Sequence, residues 1–412
     1  MNFNSSCEGF LAAGDTGQEV RRQLVPQREL RLRVAQTIDQ VEELRDIWER
    51  WSCDRDNDID FYLKFVISQK TVIHPYVIVL YRQGAPESML VGRLELRRIS
   101  CKLGYLTLSG INARLLTFPY KGLLGCSSEA NCVELIKHIT DALRRGEADV
   151  ALLEHVDTHC ALYKMARILP GRASRDYLVK IAPHHVMRLF EDVNRVYQGL
   201  SPGLRSEVRR KKRNILRKFS GSTTVECFQS EAELQTVIPQ IEEIARQTYQ
   251  RGLGVGFQDN DQTRARLSFC SRAGWLRVYV LSIEGTPCAF WIGTVYDSVF
   301  FSEYNGFDPH FSEYSVGTVL LIAIVEDLCV QGVTAIDFGF GSAEYKDRFG
   351  NCQLMESSVY IFAPTVRGLA LNLLHTSLGL ADRAARQILE RAHLLQTTKR
   401  LMRTRAARNA AA

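Results

Sequence analysis

The sequence has no apolar run of 18 or more residues free of charge, and no two of its eleven cysteines have the C-x-x-C spacing. A helix that crosses a bilayer needs such a run. The cysteines are odd in number and scattered from Cys7 to Cys352. These absences argue against a membrane-spanning protein, a disulfide framework and a zinc knuckle. We expect the cysteines to be buried free thiols.

The first 28 residues have no basic start and no long apolar segment. They therefore lack the pattern of a secretory signal or a transit peptide, and their composition predicts a disordered tail over residues 1–28. We expect the protein to be cytoplasmic. A peripheral location at the inner face of the cell membrane, through the C-terminal tail, is the alternative.

A chain of 412 residues is too long for one hydrophobic core and predicts two domains of ordinary size. The pattern of elements repeats, because each half reads as helix, helix, three strands, helix and strand. The stretches TIDQ and SEAE predict capping boxes at Thr37 and Ser230. We expect an α/β fold with a mixed sheet, in two similar units over residues 29–182 and 183–364.

The net charge of +6 is unevenly distributed. Residues 201–220 carry eight Lys or Arg against one Glu, and Ser201-Pro202 predicts the start of a helix. This run is either a solvated helix face or a contact for an anion such as phosphate. The tail, residues 365–412, carries nine Lys or Arg against two acidic residues.

The tail also has apolar residues at helical spacing, so it is expected to be helical. Its first half should pack on the preceding domain. Its second half, from about Leu394, has many basic residues and few large apolar ones. That half either binds an anionic membrane surface or is a frayed helix without a partner.

The stretch LLEHVDTHC places His155 and His159 four residues apart, beside Glu154 and Cys160. On a helix this spacing suits a metal ion. The preceding residues read as a strand, however, so the two histidines would not share a helical face. We therefore expect no metal site.

The stretch from Ser315 to Gly350 predicts a helix and then a strand that ends at Asp337 before a pair of glycines. A helix N-terminus presents unpaired N–H groups and partial positive charge, which suits a pyrophosphate. Gly317 would let a ligand approach the backbone. The alternative is an ordinary helix cap. The predicted pyrophosphate-binding segment, which we call the cradle, comprises Tyr314, Ser315, Val316, Gly317 and Thr318.

Residues 204–362 resemble the GNAT-type acyltransferase domain of CelD-like and FemAB-like proteins of bacterial envelope polysaccharide and peptidoglycan synthesis. Four ordered blocks carry the resemblance: RRKKRNILRKF, LSIEGTPCAFWIG, YNGFDPHFSEYSVGTVLL and IDFGFGSAEYKDRFG. The first half resembles their degenerate N-terminal unit through its element order and the tract FPYKGLLG. The resemblance implies two tandem GNAT-like units and acyl-CoA as donor. Tyr314 and Val319 replace residues usual in the family's loop, which leaves aminoacyl-tRNA open as the donor.

Three residues are candidates for catalysis. Lys346 resembles the lysine of the family's Y-K-x-x-F block, where it would stabilise the oxyanion or hold a donor phosphate. Asp337 is either a general base or a structural residue that caps the next turn and pairs with Lys346 or Arg348. Glu303 is a third carboxylate, on a strand that in GNAT folds lies against the reacting acyl group.

Three functions follow from these residues and the resemblance. The first is transfer of an acyl group from acyl-CoA to an amine or hydroxyl of a sugar or envelope-polysaccharide precursor, without a metal or a covalent enzyme intermediate. The second is FemAB-like transfer from aminoacyl-tRNA, in which the basic segments would bind nucleic acid. The third is a non-catalytic module of an envelope-synthesis complex.

Overall fold

A computed structural model describes residues 30–391, with some gaps. The positions left out are Cys53, 104–105, Ser220, 253–255 and Ser342. The tail expected at residues 1–28 and the basic segment beyond residue 391 lie outside the described residues.

The strands of the described chain are β1 (Leu30–Ala35), β2 (Val72–Pro75), β3 (Val77–Arg82), β4 (Ala85–Leu90), β5 (Arg93–Leu103), β6 (Leu106–Phe118), β7 (Leu123–Gly125), β8 (Val150–Asp157), β9 (Ile181–Arg188), β10 (Thr223–Phe228), β11 (Leu276–Ile283), β12 (Thr286–Tyr296), β13 (Val299–Phe307), β14 (Ala335–Phe340) and β15 (Cys352–Phe362).

Its helices are α1 (Ile38–Glu42), α2 (Arg45–Trp51), α3 (Ile59–Phe61), α4 (Glu129–Arg144), α5 (Ala161–Ile168), α6 (Val193–Gly199), α7 (Pro202–Lys218), α8 (Glu231–Arg246), α9 (Tyr249–Gly252), α10 (Asp261–Arg272), α11 (Val316–Val330), α12 (Glu344–Phe349) and α13 (Val366–Arg391). Shorter helical turns are the 3-10 segments Arg55–Asn57, Arg172–Ser174 and Pro309–Tyr314 and the π segment Tyr62–Val66.

The described strands form two sheets. The large sheet has the order β10-β11-β12-β13-β14-β9-β15-β8-β6-β5-β2, and the small sheet has the order β1-β3-β4-β7. In the large sheet β13 runs parallel to β14 and β6 runs parallel to β8, whereas the other pairs are antiparallel. The expected α/β fold with a mixed sheet is confirmed.

Each half of the chain contains one unit of strand, helix and parallel strand. In the first half β6 leads through α4 to β8, and in the second half β13 leads through α11 to β14. A helical crossover is what a parallel pair requires, because a tight turn cannot bring the next strand back in the same direction. The two expected units are therefore visible as two such crossovers.

One sheet passes through both halves because two strands bridge them. Strand β15 pairs with β9 over residues 352–357 and with β8 over residues 356–362. Strand β9 pairs on its other side with β14. The last strand of the second half thus completes the sheet of the first half.

Several local predictions are confirmed. Ser201 caps α7 by accepting the N–H of Leu204, and Ser230 and Glu233 form a capping box at the start of α8. Positive φ angles occur at the tight turns of residues 284–285 and 297–298, which connect β11 to β12 and β12 to β13. Among the cysteines, Cys132 and Cys288 are buried as expected, whereas Cys126 is exposed.

One predicted strand is wrong. The run MLVGRLELR reads as a single strand, but it is divided at Gly92 between β4 of the small sheet and β5 of the large sheet. A Cβ on Gly92 would lie 2.5 Å from the Phe118 ring. The absence of a side chain therefore lets the backbone cross close to β6 as it passes from one sheet to the other.

Helices cover both faces of the large sheet in the second half. On one face, α7 and α11 pack on side chains such as Tyr279, Leu281 and Trp291. On the other face, α8 and α10 pack on Val280 and Ile292, which alternate with them along the strands. We call these the α11 face and the α10 face.

We predict that Gly293→Ala lowers the free energy of unfolding by about 1–3 kcal/mol, the usual cost of overpacking. A Cβ at Gly293 would lie 2.5 Å from the carbonyl oxygen of Phe301 and against the Phe300 ring. Urea unfolding measures the change. Gly203→Ala is the matched control, because a Cβ there meets no described atom within 4 Å and alanine favours the helix. Equal stability of the two variants would contradict the prediction.

Candidate functional site

A basic groove lies where α7 crosses the start of α11, on the α11 face. It has a volume of about 470 Å³. Four basic side chains and one acidic side chain line it, so its lining carries a net positive charge. The lining residues are Arg210, Lys211, Asn214, Arg217, Lys218, Glu313, Tyr314 and Ser315. The groove therefore joins the basic run and the predicted cradle in one place.

The start of α11 has the geometry of an open helix N-terminus. Ser315 adopts a left-handed conformation with φ of 54°, and its side chain makes no capping hydrogen bond to the described helix. The ordinary cap that the sequence left open is thus not formed. The first N–H groups of a helix have no intrahelical acceptor, so those of Val316 and Gly317 are available to a ligand. A Cβ on Gly317 would come no closer than 3.4 Å to Phe307.

Basic side chains from α7 surround this N-terminus. The Lys218 ammonium donates a hydrogen bond to the Tyr314 hydroxyl and lies 4.6 Å from the centre of that ring. Hydrogen bonding to Tyr314 raises the pKa of Lys218. Lys211 Nζ lies 3.5 Å from Oγ1 of Thr318. The positive charge beside the cradle is thus supplied by α7 and not by the residues of the cradle itself.

Strands β13 and β14 separate at their carboxyl ends. They pair over only three positions, the last of which joins Phe301 to Asp337. Beyond it, β13 continues along β12, and β14 continues along β9. A wedge therefore opens beside Asp337, at the sheet edge where ligands of open α/β folds bind.

Asp337 is buried and points to the α10 face, because its neighbours Ile336 and Phe338 belong to the core of the α11 face. Its Oδ1 accepts the N–H of Gly339 at 2.8 Å and lies 2.6 Å from Nε2 of His184. Of the two partners considered for a structural role of Asp337, Arg348 pairs elsewhere, with Glu207 of α7 and Glu344 of α12.

His184 links Asp337 to a second carboxylate. Its Nδ1 lies 3.1 Å from Oε2 of Glu356 on β15, and the imidazole is buried. Burial alone would lower the pKa of His184, but the hydrogen bonds and negative charges of the two carboxylates outweigh it and raise the pKa to about 9. The imidazole is therefore a cation at neutral pH. We call these three residues the carboxylate–histidine chain.

Tyr120, a residue of the first half, contacts the carboxylate–histidine chain. Its ring stacks on His184 with a centroid separation of 5.2 Å. Burial and then the charges of Asp337 and Glu356 raise the pKa of Tyr120, so the phenol keeps its proton. The adjacent Lys121 pairs with Asp54 at 3.1 Å. Sequence reasoning missed His184 and Glu356, although the tract FPYKGLLG, which contains Tyr120, had been singled out.

Lys346 lies at the same end of β14. Its Nζ donates to the carbonyl oxygen of Phe340 at 3.2 Å and is 3.4 Å from that of Gly339. Burial lowers the pKa of Lys346, and the charges of Asp337 and Asp347 oppose this. The carboxylate of Asp337 thus acts on Lys346 electrostatically, whereas the hydrogen bonds of Lys346 Nζ go to backbone carbonyl groups.

Glu303 lies apart from these two and is held by arginines. It is the extra residue of a β-bulge, since the flanking residues Ser302 and Tyr304 pair with consecutive residues of β12. Its Oε1 contacts Arg55 of the first half, and its Oε2 lies 2.7 Å from Arg266 of α10. The bulge aims this carboxylate to the α10 face, where Oε1 is hydrogen-bonded to Arg55 and Oε2 forms an ion pair with Arg266 but accepts no hydrogen bond.

The sequence around His155 forms β8, as expected, and His159 follows in a turn before α5. Within the described residues, no group of three or more histidine, cysteine or acidic side chains is arranged to hold a metal ion. The described helices also include none that is both long and apolar enough to span a membrane.

We predict that His184→Gln makes the free energy of unfolding less dependent on pH. The pKa of His184 is higher in the folded state than its ordinary value of 6.5, so its stabilising contribution is complete below that value and is lost as the pH rises through about 9. Urea unfolding between pH 6 and pH 10 measures the effect. His159→Gln is the control, because His159 is exposed. Parallel pH curves for wild type and His184→Gln would contradict the prediction.

Residues 203–347 match a family model described as "Acetyltransferase (GNAT) domain". The crystal structure of FemX superposes with a TM-score of 0.54 at 10% identity, over 81% of this chain and 98% of that chain. A tandem GNAT protein from the clavulanic acid biosynthesis pathway gives a TM-score of 0.46 at 10% identity, over 82% and 99%. Curated proteins gave no match. Residues 203–347 are therefore similar to a GNAT-type acetyltransferase domain, and the chain has a fold similar to that of FemX.

Proposed function

We propose that the protein is an acyltransferase that moves an acyl group from acyl-CoA to an amine or hydroxyl of a sugar-type acceptor, such as an envelope-polysaccharide precursor. The observation that carries the proposal is the basic groove at the open N-terminus of α11. It lies within the segment that matches the acetyltransferase model. A donor with several phosphates needs this combination of charge and N–H groups.

The donor would bind through its phosphates. Coenzyme A carries a pyrophosphate and a further phosphate, which suit a helix N-terminus beside several cations. Val316, Gly317 and Thr318 would supply N–H groups or a hydroxyl to the pyrophosphate. Tyr314 replaces the basic or amide residue usual in the family's loop, and Arg217 and Lys218 of α7 supply the missing charge from the side.

The reaction would take place in the wedge between β13 and β14. The acceptor nitrogen or oxygen attacks the thioester carbonyl carbon, its proton passes to Asp337, and the C–S bond then breaks to release coenzyme A as its thiolate. Lys346 is placed at the same strand end to stabilise the negative oxygen that forms during attack. We take Asp337 as the base rather than Glu303, because Asp337 lies beside the wedge, whereas Glu303 lies apart from it between two arginines.

The alternative donor is aminoacyl-tRNA. The basic residues of α7 would then bind the nucleic-acid backbone, and the fold shared with FemX is compatible with this reading. A non-catalytic role is less well supported, because it gives no reason for Lys346 and Asp337 to lie at the same strand end beside an open wedge. The cytoplasmic location and the contact of the tail with an anionic membrane stay predictions.

We predict that Arg217→Ala weakens coenzyme A binding about tenfold, as expected for the loss of one charge-assisted phosphate contact. Arg213→Ala is the matched control, since Arg213 is also exposed on α7 but does not line the groove. Isothermal titration at two salt concentrations measures both variants. Tight binding of bulk tRNA together with no binding of coenzyme A would replace the first donor by the second.

We predict that Lys346→Ala lowers kcat by about 10²- to 10³-fold, the usual cost of removing one oxyanion-stabilising group. Binding of coenzyme A should stay the same, because Lys346 lies outside the basic groove. The release of coenzyme A from acetyl-CoA in the presence of sugar acceptors measures the rate. Glu344→Ala on the same helix is the control, because that side chain is exposed. Near wild-type turnover of Lys346→Ala would make Lys346 a structural residue.

A further inference from the structure

A second pocket lies between the two halves of the chain, on the α10 face. It has a volume of about 600 Å³, within the range of about 300–1,000 Å³ that small-molecule sites occupy. The first half contributes Gln69 and the rings of Phe61 and Phe65, and the second half contributes the segment before α10 and the start of that helix. We call it the interdomain pocket.

The ionic groups of the interdomain pocket are already paired. Arg55 bonds to Asp56 at 2.6 Å and to Glu303, and Arg266 lies 2.7 Å from Glu303. The two guanidinium groups also lie over aromatic rings, at 5.3 Å from Phe61 for Arg55 and 5.5 Å from Tyr304 for Arg266. Arg55, Asp56 and Arg266 line the pocket, and Glu303, whose side chain is 8% exposed and is not part of the lining, pairs with both arginines. The cluster of these four ionic groups as a whole is therefore neutral.

Neutral hydrogen-bonding groups dominate the rest of the lining. They are the side chains of Gln69, Gln258, Asn260, Gln262 and Thr263. Each amide or hydroxyl offers both a donor and an acceptor. Vicinal hydroxyl groups of a sugar also donate and accept, whereas a phosphate or carboxylate accepts only. This lining therefore matches an uncharged polyhydroxylated ligand better than an anion.

Two of these side chains are held by hydrogen bonds within the protein itself. Gln69 donates its Nε2 hydrogen to the carbonyl oxygen of Phe65 at 3.1 Å. Asn260 uses Oδ1 to accept the N–H of Thr263 at 2.9 Å. Each side chain keeps its other amide atom for a ligand. Side chains held in this way lose little conformational entropy on binding.

The two pockets differ in charge and lie on opposite faces of the sheet. The basic groove is on the α11 face and suits a polyanion, whereas the interdomain pocket is neutral and is on the α10 face, to which Asp337 and Glu303 also point. The wedge between β13 and β14 lies where groups from the two faces can meet. A donor and an acceptor that bind at these two places would approach the wedge from opposite sides.

We propose that the interdomain pocket binds an uncharged sugar unit of the acceptor through Gln258, Gln262 and their neighbours. The inference rests on the proposed function, which it deepens by locating the acceptor and by excluding an anionic unit at this position. Gln258 and Gln262 are then binding residues that recognise hydroxyl groups, and the Arg55–Glu303–Arg266 cluster is the neutral floor that holds the pocket's shape.

Saturation-transfer NMR on the full chain tests this proposal. The neutral probes are N-acetylglucosamine, glucose and cellobiose at millimolar concentration, and the charged probes are glucuronate and glucose 6-phosphate. We expect at least one neutral probe to bind, and the double variant Gln258→Ala/Gln262→Ala to weaken it tenfold or more. Gln240→Ala is the matched control, because Gln240 is exposed on α8 and does not line the pocket.

Each other outcome overturns the assignment. Binding of no neutral probe, unchanged binding by the double variant, or tighter binding of a charged probe would each show that this pocket is not a neutral sugar site. A coenzyme A titration of the same samples separates this failure from failure of the proposed function. Intact coenzyme A binding without sugar binding rejects only the pocket, whereas sugar binding without coenzyme A binding rejects only the donor.

Discussion

The buried imidazolium of His184 is the interaction on which the centre of this fold depends. It is hydrogen-bonded on one side to Asp337 of β14 and on the other to Glu356 of β15, so three adjacent strands share one charged cluster. A buried charge that loses its partner costs about 3–5 kcal/mol. Each member of the carboxylate–histidine chain therefore requires the other two. The junction between the two halves of the protein thus has one favoured arrangement.

The same cluster sets the electrostatics of the candidate site. One cation between two carboxylates leaves an excess of negative charge on the α10 face, beside the protonated phenol of Tyr120. On the α11 face the excess is positive, because α7 brings basic side chains to the start of α11. The sheet thus separates a region of negative charge on the α10 face from a region of positive charge on the α11 face. The wedge is the place where these two regions come closest.

The sequence predicted the elements that follow simple periodic patterns and missed those that do not. Helix caps at Ser201 and Ser230 and the strand that ends near Asp337 were recognisable because their signals are local. Strands β9 and β15 were missed because buried polar residues such as His185 and Ser357 interrupt their apolar pattern. A strand of this kind is stable only once its polar groups find partners elsewhere in the fold.

The candidate site likewise combines residues that are close in the sequence with residues that are far apart in it. Lys346 and Asp337 are nine residues apart around one turn, so their location near the same strand end is a local feature of the sequence. Arg55 and Glu303 are separated by 248 positions, and no local pattern relates them. The interdomain pocket depends on that long-range pair and on the packing of two halves, which is why only the three-dimensional structure reveals it.

The path of β15 also determines when the chain can finish folding. Until residues 356–362 pair with β8, the sheet of the first half has an open edge at that strand. A ribosome makes those residues only after nearly all of the second half. During synthesis the backbone groups at this edge of β8 therefore stay unpaired until β15 has been made. In that state other strands can compete for the edge. Assembly of the two halves is a single event rather than two independent ones.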